Sequence, residues 1–289
     1  QSGVKQIFES VRDRGLSSAN SINIGRLVPQ VVYYFSAYAD LVRQGRLTPG
    51  AKLNFTVPTG NFGDILAGFI AGELGLPIGR LVCASNENNV LTDFLRTGTY
   101  DRRRSFYRTL SPSMDILISS NLERLLYLMS DDCELVAALM QQLKSDGFYT
   151  VPAELLEKIQ SRFWAGCCGD EATEETIREV WKCHSYLCDT HTAVAWNVAR
   201  QYEKAAESHD PIVVLSTASP YKFPAAVLSA IGAKCDGDEF DMMSALEKAT
   251  GVPMPANLRS LRERPVLHTG CVKPGKMRGY VLDLLEGKT

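Results

Sequence analysis

The sequence lacks the features that mark membrane, secreted and nucleic-acid-binding proteins. No window approaches the run of about 20 apolar residues that a membrane-spanning helix needs, and the N-terminus carries no secretory signal pattern. Basic and acidic residues nearly balance, 31 against 33, for a net charge of −2, whereas a nucleic-acid-binding protein normally shows a basic excess. We therefore expect a cytoplasmic protein with neither a membrane nor a nucleic acid as its partner.

The chain also lacks the paired cysteine spacing of a structural zinc site. Four of its eight cysteines cluster around one histidine, at Cys167, Cys168, Cys183, His184 and Cys188. Adjacent cysteines rarely ligate one tetrahedral ion together, and without an export signal the thiols are expected to be reduced. We predict no metal, with zinc as the weaker alternative.

What is present is ordinary globular composition, 45% hydrophobic and 22% charged over 289 residues, enough for one large α/β domain or two smaller ones. Apolar runs and turn residues predict a strand at 52–57, a helix at 65–74 and a strand at 80–84. This βαβ order predicts a parallel sheet with a right-handed crossover. The apolar run at 211–215 predicts another buried strand.

The middle of the chain reads as helical. Its polar-rich periodic segments predict helices at 134–144, 152–164 and 170–183, and we interpret about 131–189 as a helical insertion rather than sheet. A short apolar run at 114–117 is a further strand candidate.

The stretch from Thr59 to Asp64 reads TGNFGD and lies between the first strand and its helix. The first backbone N–H groups of a helix have no intrahelical partner, and the helix dipole places partial positive charge there. Gly60 and Gly63 allow the backbone to approach an anion without a Cβ in the way. The arrangement predicts a phosphate site, although it is neither a Walker A loop nor GxGxxG, and a plain tight turn explains the spacing equally well.

The longer string VPTGNFGDILAG resembles the phosphate-binding loop of the threonine synthase family. Other segments resemble the same family in the same order: SINIGRLVPQVVYYFSAY, LVCASNENNVLTDFLRTGTYDRR, SPSMDILISSNLERLL, DTHTAVAW and VVLSTASPYKFPAAV. The resemblance covers residues 1 to about 235 and continues more loosely to the end.

The resemblance implies the tryptophan synthase β-like fold of pyridoxal-phosphate enzymes (fold type II), a parallel sheet flanked by helices, incomplete in this chain. It implies conversion of O-phospho-L-homoserine and water to L-threonine and phosphate, the last step of threonine biosynthesis. A related phospholyase or dehydratase, or a non-catalytic module that binds phosphate or pyridoxal phosphate, are the alternatives. The family implies that Thr217 faces the cofactor's pyridine nitrogen, unless it only caps the following turn. The cofactor's phosphate would lie against the backbone N–H groups of Gly60, Asn61, Phe62, Gly63 and Asp64.

The SINIGR segment supplies the candidate substrate residues. Ser21, Asn23 and Arg26 would bind the substrate's phosphate or carboxylate, and the guanidinium fork of arginine suits such groups. Capping of a helix N-terminus by Ser21 is the alternative. His191 opens a strong helix and is either a site residue or a packing histidine.

The family's Schiff-base lysine, in a Ser/Ala-Phe-Lys-Asp motif, has no counterpart here, and Lys222 is interpreted as structural. The chain begins without Met inside a helical pattern, which suggests a piece of something longer. We therefore interpret residues 1–17 as the end of a smaller domain and 18–289 as the large cofactor-binding domain. Without the lysine we expect this polypeptide alone to be inactive, with exposed sheet edges that favour self-association or a partner fragment.

Overall fold

A computed structural model describes residues 7–8, 10–11, 16–17, 23–206, 210–234, 236–267 and 269–287. Most of the predicted small-domain segment 1–17 lies outside these residues. No helix in this part of the chain is long and apolar enough to cross a bilayer. The cytoplasmic location stays a prediction.

The strands in the described part of the chain are β1 Leu53–Pro58, β2 Ile78–Ser85, β3 Thr99–Asp101, β4 Phe148–Thr150, β5 Phe163–Cys167 and β6 Ile212–Val214. Four of them form a sheet in the order β5-β2-β1-β6, and its strands pair in parallel, as the βαβ pattern predicts. A separate antiparallel pair joins β3 to β4.

Helices cover both faces of the sheet. In the described part of the chain they are α1 Ile24–Leu27, α2 Val31–Arg43, α3 Gly63–Glu73, α4 Val90–Thr97, α5 Leu122–Ser130, α6 Cys133–Ser145, α7 Ala153–Arg162, α8 Asp170–His184, α9 Thr190–Ala205, α10 Pro224–Ile231, α11 Glu239–Thr250, α12 Ala256–Arg259 and α13 Met277–Leu285.

The two faces of β2 show why the sheet forms a layer between helices. Leu81 and Cys83 belong to the large apolar core that also contains residues of α3 and α4. Val82 and Ala84 point to the other face and belong to the core cluster that holds Val194 of α9. Because successive side chains alternate between faces, a strand buried on both sides needs a continuous apolar run, and this run is what the sequence supplies.

The expectation that 131–189 is helical rather than sheet is wrong at β5. Residues 163–167 pair in parallel with β2 and form one edge of the main sheet. The apolar run FWAGC directly continues the helical pattern of α7 without a Gly or Pro break, so periodicity alone assigns it to the helix. Pairing with β2 decides otherwise. The division of the chain into domains stays a prediction.

The strand candidate at 114–117 is also wrong. A short 3-10 helix, Pro112–Met114, occupies its start, and no strand is assigned to these residues. Pro112 favours the tight turn, because its ring fixes φ and removes a backbone donor.

Candidate functional site

The candidate site lies at the carboxyl ends of β1 and β6. Strand β2 lies on one side of β1 and β6 on the other, so the order of the chain reverses at β1. Ligands of open parallel sheets bind in the crevice outside the carboxyl ends of the strands at such a reversal. The loop from Thr59 to Phe62 begins there, and Leu215 to Thr217 follow β6.

The loop turns into α3 through a left-handed residue. Phe62 has φ 61° and ψ 11°, a conformation that a bulky residue rarely adopts and that costs roughly 1–3 kcal/mol. Its ring is fully buried and contacts Phe163 of β5 with 5.7 Å between ring centres. Burial of this ring therefore offsets the strain and fixes the turn.

Most backbone donors of this loop have no partner in the part of the chain that the structure describes. Thr59 N donates to Ala84 O at 2.8 Å. Among the described residues, no hydrogen bond is donated by the backbone N–H of Gly60, Asn61, Phe62, Gly63 or Asp64. The first helical hydrogen bond of α3 runs from Leu66 N to Phe62 O at 3.2 Å. Five such donors at a helix N-terminus suit an anion, since the helix dipole adds partial positive charge.

The carbonyls of the same loop are held from below. Ser119 Oγ donates to Gly60 O at 2.9 Å, and Asn121 donates to Asn61 O through both its backbone N, at 3.1 Å, and its Nδ2, at 2.7 Å. A Cβ on Gly60 would lie 2.7 Å from Ser113 O. The segment 113–121 thus fixes the carbonyl side of the loop and leaves its N–H groups for a ligand, and only glycine fits at position 60.

A cavity of about 530 Å³ opens at this loop. Asp64 carries the single charged side chain among the described residues that line it, and no lysine is among them. Two buried oxygens in the lining, Gln30 Oε1 and Asn61 Oδ1, have no hydrogen-bond partner among the described residues, which is rare in a folded protein. The lining residues are Gln30, Tyr33, Pro58, Thr59, Gly60, Asn61, Phe62, Gly63, Asp64, Ile65, Leu215, Ser216 and Thr217.

The carboxyl of Asp64 is paired with a buried tyrosine. Tyr34 Oη donates to Asp64 O at 2.8 Å and lies 3.2 Å from Asp64 Oδ1. Gly68 permits this approach, because a Cβ there would lie 2.6 Å from the Tyr34 ring. Burial raises the pKa of Asp64 to about 6, and the hydrogen bond from Tyr34 offsets part of that rise. Burial also raises the pKa of Tyr34 well above its ordinary value, and the negative charge of Asp64 raises it further.

The structure brings the predicted cofactor residues together around one cavity. Gly60, Asn61, Phe62, Gly63 and Asp64 line it on the β1 side and Thr217 on the β6 side. The two segments are about 150 positions apart in sequence, and the pairing of β1 with β6 joins them. Their roles toward a ligand stay predictions.

Two of the three predicted substrate residues, Asn23 and Arg26, can be compared with this cavity. Ser21 lies outside the described residues. Asn23 accepts a hydrogen bond from Gly25 N at 2.9 Å and caps α1, and Arg26 is exposed. Neither Asn23 nor Arg26 is among the described residues that line the cavity, so their contact with substrate stays a prediction.

Gln30 and Tyr33 are cavity residues that the sequence analysis did not assign. Both lie in the PQVVYY part of the segment that carries the family resemblance. Tyr33 is 58% exposed and its neighbour Tyr34 is 1% exposed. One of the adjacent tyrosines therefore lies at the cavity and the other in the core. The PQVVYY string, within a segment that resembles the family, was the signal that could have identified Gln30 and Tyr33.

Known proteins resemble this chain over most of its length. A family model described as "Threonine synthase, C-terminal" matches residues 192–271. The chain is 44% identical over 245 residues to Threonine synthase-like 1 of Macaca fascicularis, which covers 81% of the chain and 33% of that protein. It is 36% identical over 258 residues to threonine synthase of Schizosaccharomyces pombe, covering 81% of the chain and 50% of the relative.

A solved structure agrees with the fold described above. The crystal structure of PLP-bound threonine synthase from Brucella melitensis superposes with a TM-score of 0.78 at 40% sequence identity. The match covers 97% of this chain and 56% of the other. The predicted α/β fold of pyridoxal-phosphate enzymes, with a parallel sheet flanked by helices, is therefore confirmed. The chain spans between a third and somewhat more than half of the length of these relatives.

Proposed function

Because the chain belongs to the threonine synthase family and corresponds to a C-terminal portion of it, we propose that it holds the phosphate of pyridoxal phosphate in an enzyme that acts on O-phospho-L-homoserine. The parent reaction would convert that substrate and water to L-threonine and phosphate. The observation that carries the proposal is the set of five N–H groups from Gly60 to Asp64, at the N-terminus of α3, that have no partner in the described part of the chain.

The residues present fit a phosphate group. The loop offers fixed backbone donors that lose no side-chain entropy on binding, and Gly60 leaves no Cβ in the loop where the backbone packs on Ser113. The cavity of about 530 Å³ is of the size that small-molecule sites usually have. The oxygens of Gln30 and Asn61 that have no partner among the described residues would accept from donors elsewhere on a bound ligand, because a phosphate at pH 7 offers mainly acceptors.

The cofactor and the chain would divide the chemistry. When bound, pyridoxal phosphate supplies an electron sink for carbanions at the substrate. Gly60 to Asp64 would bind and orient its phosphate, and Thr217 would place a neutral hydroxyl toward its ring. Asn23 and Arg26, with Ser21, would hold the substrate's phosphate or carboxylate. In this proposal residues 18–289 form the large cofactor-binding domain, and residues 1–17 are the end of a smaller domain.

Equilibrium dialysis against pyridoxal phosphate and against pyridoxal tests the proposal directly. The two ligands differ only in the phosphate group. Hydrogen bonds to a charged group are worth about 1.5–3 kcal/mol each, so we expect pyridoxal phosphate to bind at least about 100-fold more tightly than pyridoxal. Equal affinity for both would leave the loop as a plain βα turn and would refute the proposed site.

We expect the chain by itself to release no phosphate from O-phospho-L-homoserine. The reason is that no lysine is among the described residues lining the cavity and Lys222 is exposed. Phosphate release should appear when the N-terminal portion of the Schizosaccharomyces pombe threonine synthase is added, because the family resemblance implies that this portion carries the Schiff-base lysine. Turnover by the chain alone would contradict this expectation. Self-association through exposed sheet edges stays a prediction.

A related phospholyase or dehydratase is the second candidate. The 44% identity with Threonine synthase-like 1 of Macaca fascicularis, against 36% with the Schizosaccharomyces pombe threonine synthase, keeps it open, because the name of the first relative does not assign the threonine synthase reaction to it. Product analysis of the same mixed reaction separates the two candidates. Threonine supports the first, and a 2-oxo acid with ammonia and phosphate supports the second.

A further inference from the structure

His191 is buried beside the site without lining its cavity. Its side chain is 3% exposed, and Nε2 accepts a hydrogen bond from the backbone N of Ser113 at 3.1 Å. The two residues are 78 positions apart in sequence. This contact therefore ties the start of α9 to the segment that lies beneath the phosphate loop.

Ser113 is the residue against which Gly60 packs. Ser113 O lies 2.7 Å from the position that a Cβ of Gly60 would occupy, and Met114 Cα lies 3.3 Å from it. A few residues further on, Ser119 holds Gly60 O. The position of the loop backbone at Gly60 therefore depends on the position of Ser113. His191 fixes Ser113 by accepting a hydrogen bond from its backbone N–H.

The imidazole is itself oriented from its other nitrogen. Because Nε2 accepts from Ser113, the ring proton of the neutral imidazole is on Nδ1. Nδ1 lies 3.4 Å from Asp189 Oδ1 and 3.4 Å from Thr190 Oγ1. Asp189 is fully buried and caps α9 by accepting from the backbone N of His191 at 2.8 Å. The ring also contacts Phe223, with 4.9 Å between ring centres.

We infer that His191, as the Nδ1-protonated neutral tautomer, is a positioning residue for phosphate binding that acts through Ser113 on the backbone of Gly60. The inference deepens the proposed function and rests on it. His191 touches no ligand in this scheme. It fixes the surface on which the donor loop lies, so that the five N–H groups from Gly60 to Asp64 converge on one anion.

The test compares His191→Leu with His191→Gln in equilibrium dialysis against pyridoxal phosphate and pyridoxal. Leucine fills the space but offers Ser113 N no acceptor, whereas glutamine offers an amide oxygen about where Nε2 lies. We expect His191→Leu to weaken pyridoxal phosphate binding about ten-fold, as a buried donor left unpaired would, with pyridoxal unchanged. His191→Gln should restore binding to within about three-fold of the unsubstituted chain.

His184→Leu is the matched control, since His184 is an exposed histidine at the end of α8, and it should leave both affinities unchanged. Equal weakening of both ligands by His191→Leu, or no rescue by glutamine, would show a merely structural role and overturn the inference. Long-range ¹H–¹⁵N spectra provide a measurement that does not depend on a variant. Protonation of Nε2 instead of Nδ1 in the unsubstituted chain would also overturn it. Absence of a phosphate preference in the unsubstituted chain would instead refute the proposed function.

Discussion

Replacement of Gly60 by alanine is expected to remove measurable binding of pyridoxal phosphate, with a loss of at least about 100-fold if two hydrogen bonds to the phosphate are lost. The new Cβ would lie 2.7 Å from Ser113 O, a distance that real Cβ atoms essentially never show. Neither partner can rotate away, because Ser113 O is a backbone atom and the position of the Cβ is fixed by the backbone of residue 60. The loop must move, and its donors would then no longer converge on one anion.

The segment opposite Gly60 has little freedom to yield. Met114 N donates to Ser111 O at 2.9 Å, and Ser113 N donates to His191 Nε2 at 3.1 Å. On the loop side, Asn121 holds Asn61 O through two hydrogen bonds. The substitution is therefore expected to distort the loop rather than its support.

Gly279→Ala is the control for this experiment, because a Cβ at Gly279 meets nothing within 4 Å. Equilibrium dialysis with pyridoxal phosphate measures the loss, and circular dichroism establishes that both variants keep the helical signal of the unsubstituted chain. Unchanged affinity in a folded Gly60→Ala variant would show that the loop does not hold the phosphate.

Replacement of Asp64 by asparagine is expected to stabilise the chain at pH 7 and not at pH 4. Burial raises the pKa of this carboxyl to about 6, from an ordinary value of 3.8. Between these two values the folded state binds a proton that the unfolded state does not, so the free energy of unfolding falls as pH rises from about 4 to about 6. The difference in pKa corresponds to roughly 3 kcal/mol.

Asparagine has the same shape and no charge to bury, so its presence should remove this pH dependence. At pH 7 we expect the free energy of unfolding of the variant to be roughly 2–3 kcal/mol higher than that of the unsubstituted chain. The lost attraction between the carboxylate and the helix N-terminus should reduce this gain by up to about 1 kcal/mol. Urea unfolding at pH 4, 5.5 and 7 measures the difference. Only the difference between the two proteins is informative, because other groups titrate over the same range.

Tyr34→Phe is the companion variant, since it removes the hydroxyl that lies 3.2 Å from Asp64 Oδ1. Loss of that donor should raise the pKa of Asp64 further. The fall in the free energy of unfolding should then extend to higher pH. A stability difference between Asp64→Asn and the unsubstituted chain that is equal at pH 4 and pH 7 would contradict the assignment of a raised pKa to this carboxyl.

Gly60 and Asp64 affect the proposed anion site in opposite directions. Gly60 favours it because the absence of a Cβ lets the loop pack on Ser113, whereas Asp64 places a negative charge in a loop proposed to bind an anion. Because no basic side chain is among the described cavity residues, the favourable potential must come from the N–H groups and the dipole of α3. The raised pKa of Asp64 reduces the opposing charge near and below pH 6.

The local pattern of the sequence was sufficient for the βαβ unit and for the glycine-containing loop that follows β1. The strand predicted at 52–57 is β1 at Leu53–Pro58, and the helix predicted at 65–74 is α3 at Gly63–Glu73. These elements are encoded locally, because apolar period and glycine position act over a few neighbouring residues. The glycines of TGNFGD identified a candidate anion site for the same reason, and the family resemblance supplied its proposed ligand.

Tertiary structure decided what depends on distant partners. FWAGC became strand β5 because β2 offers an unpaired edge to it, although the preceding pattern is helical. Tyr33 and Tyr34 are identical in type and adjacent in sequence, yet only the packing of α2 on α3 places one in the cavity and the other against Asp64. His191 holds Ser113 across 78 positions, a contact that no local period encodes. The sequence by itself thus determined the parallel core and the donor loop, whereas burial and long-range hydrogen bonds decided the support of that loop and the charge state of its aspartate.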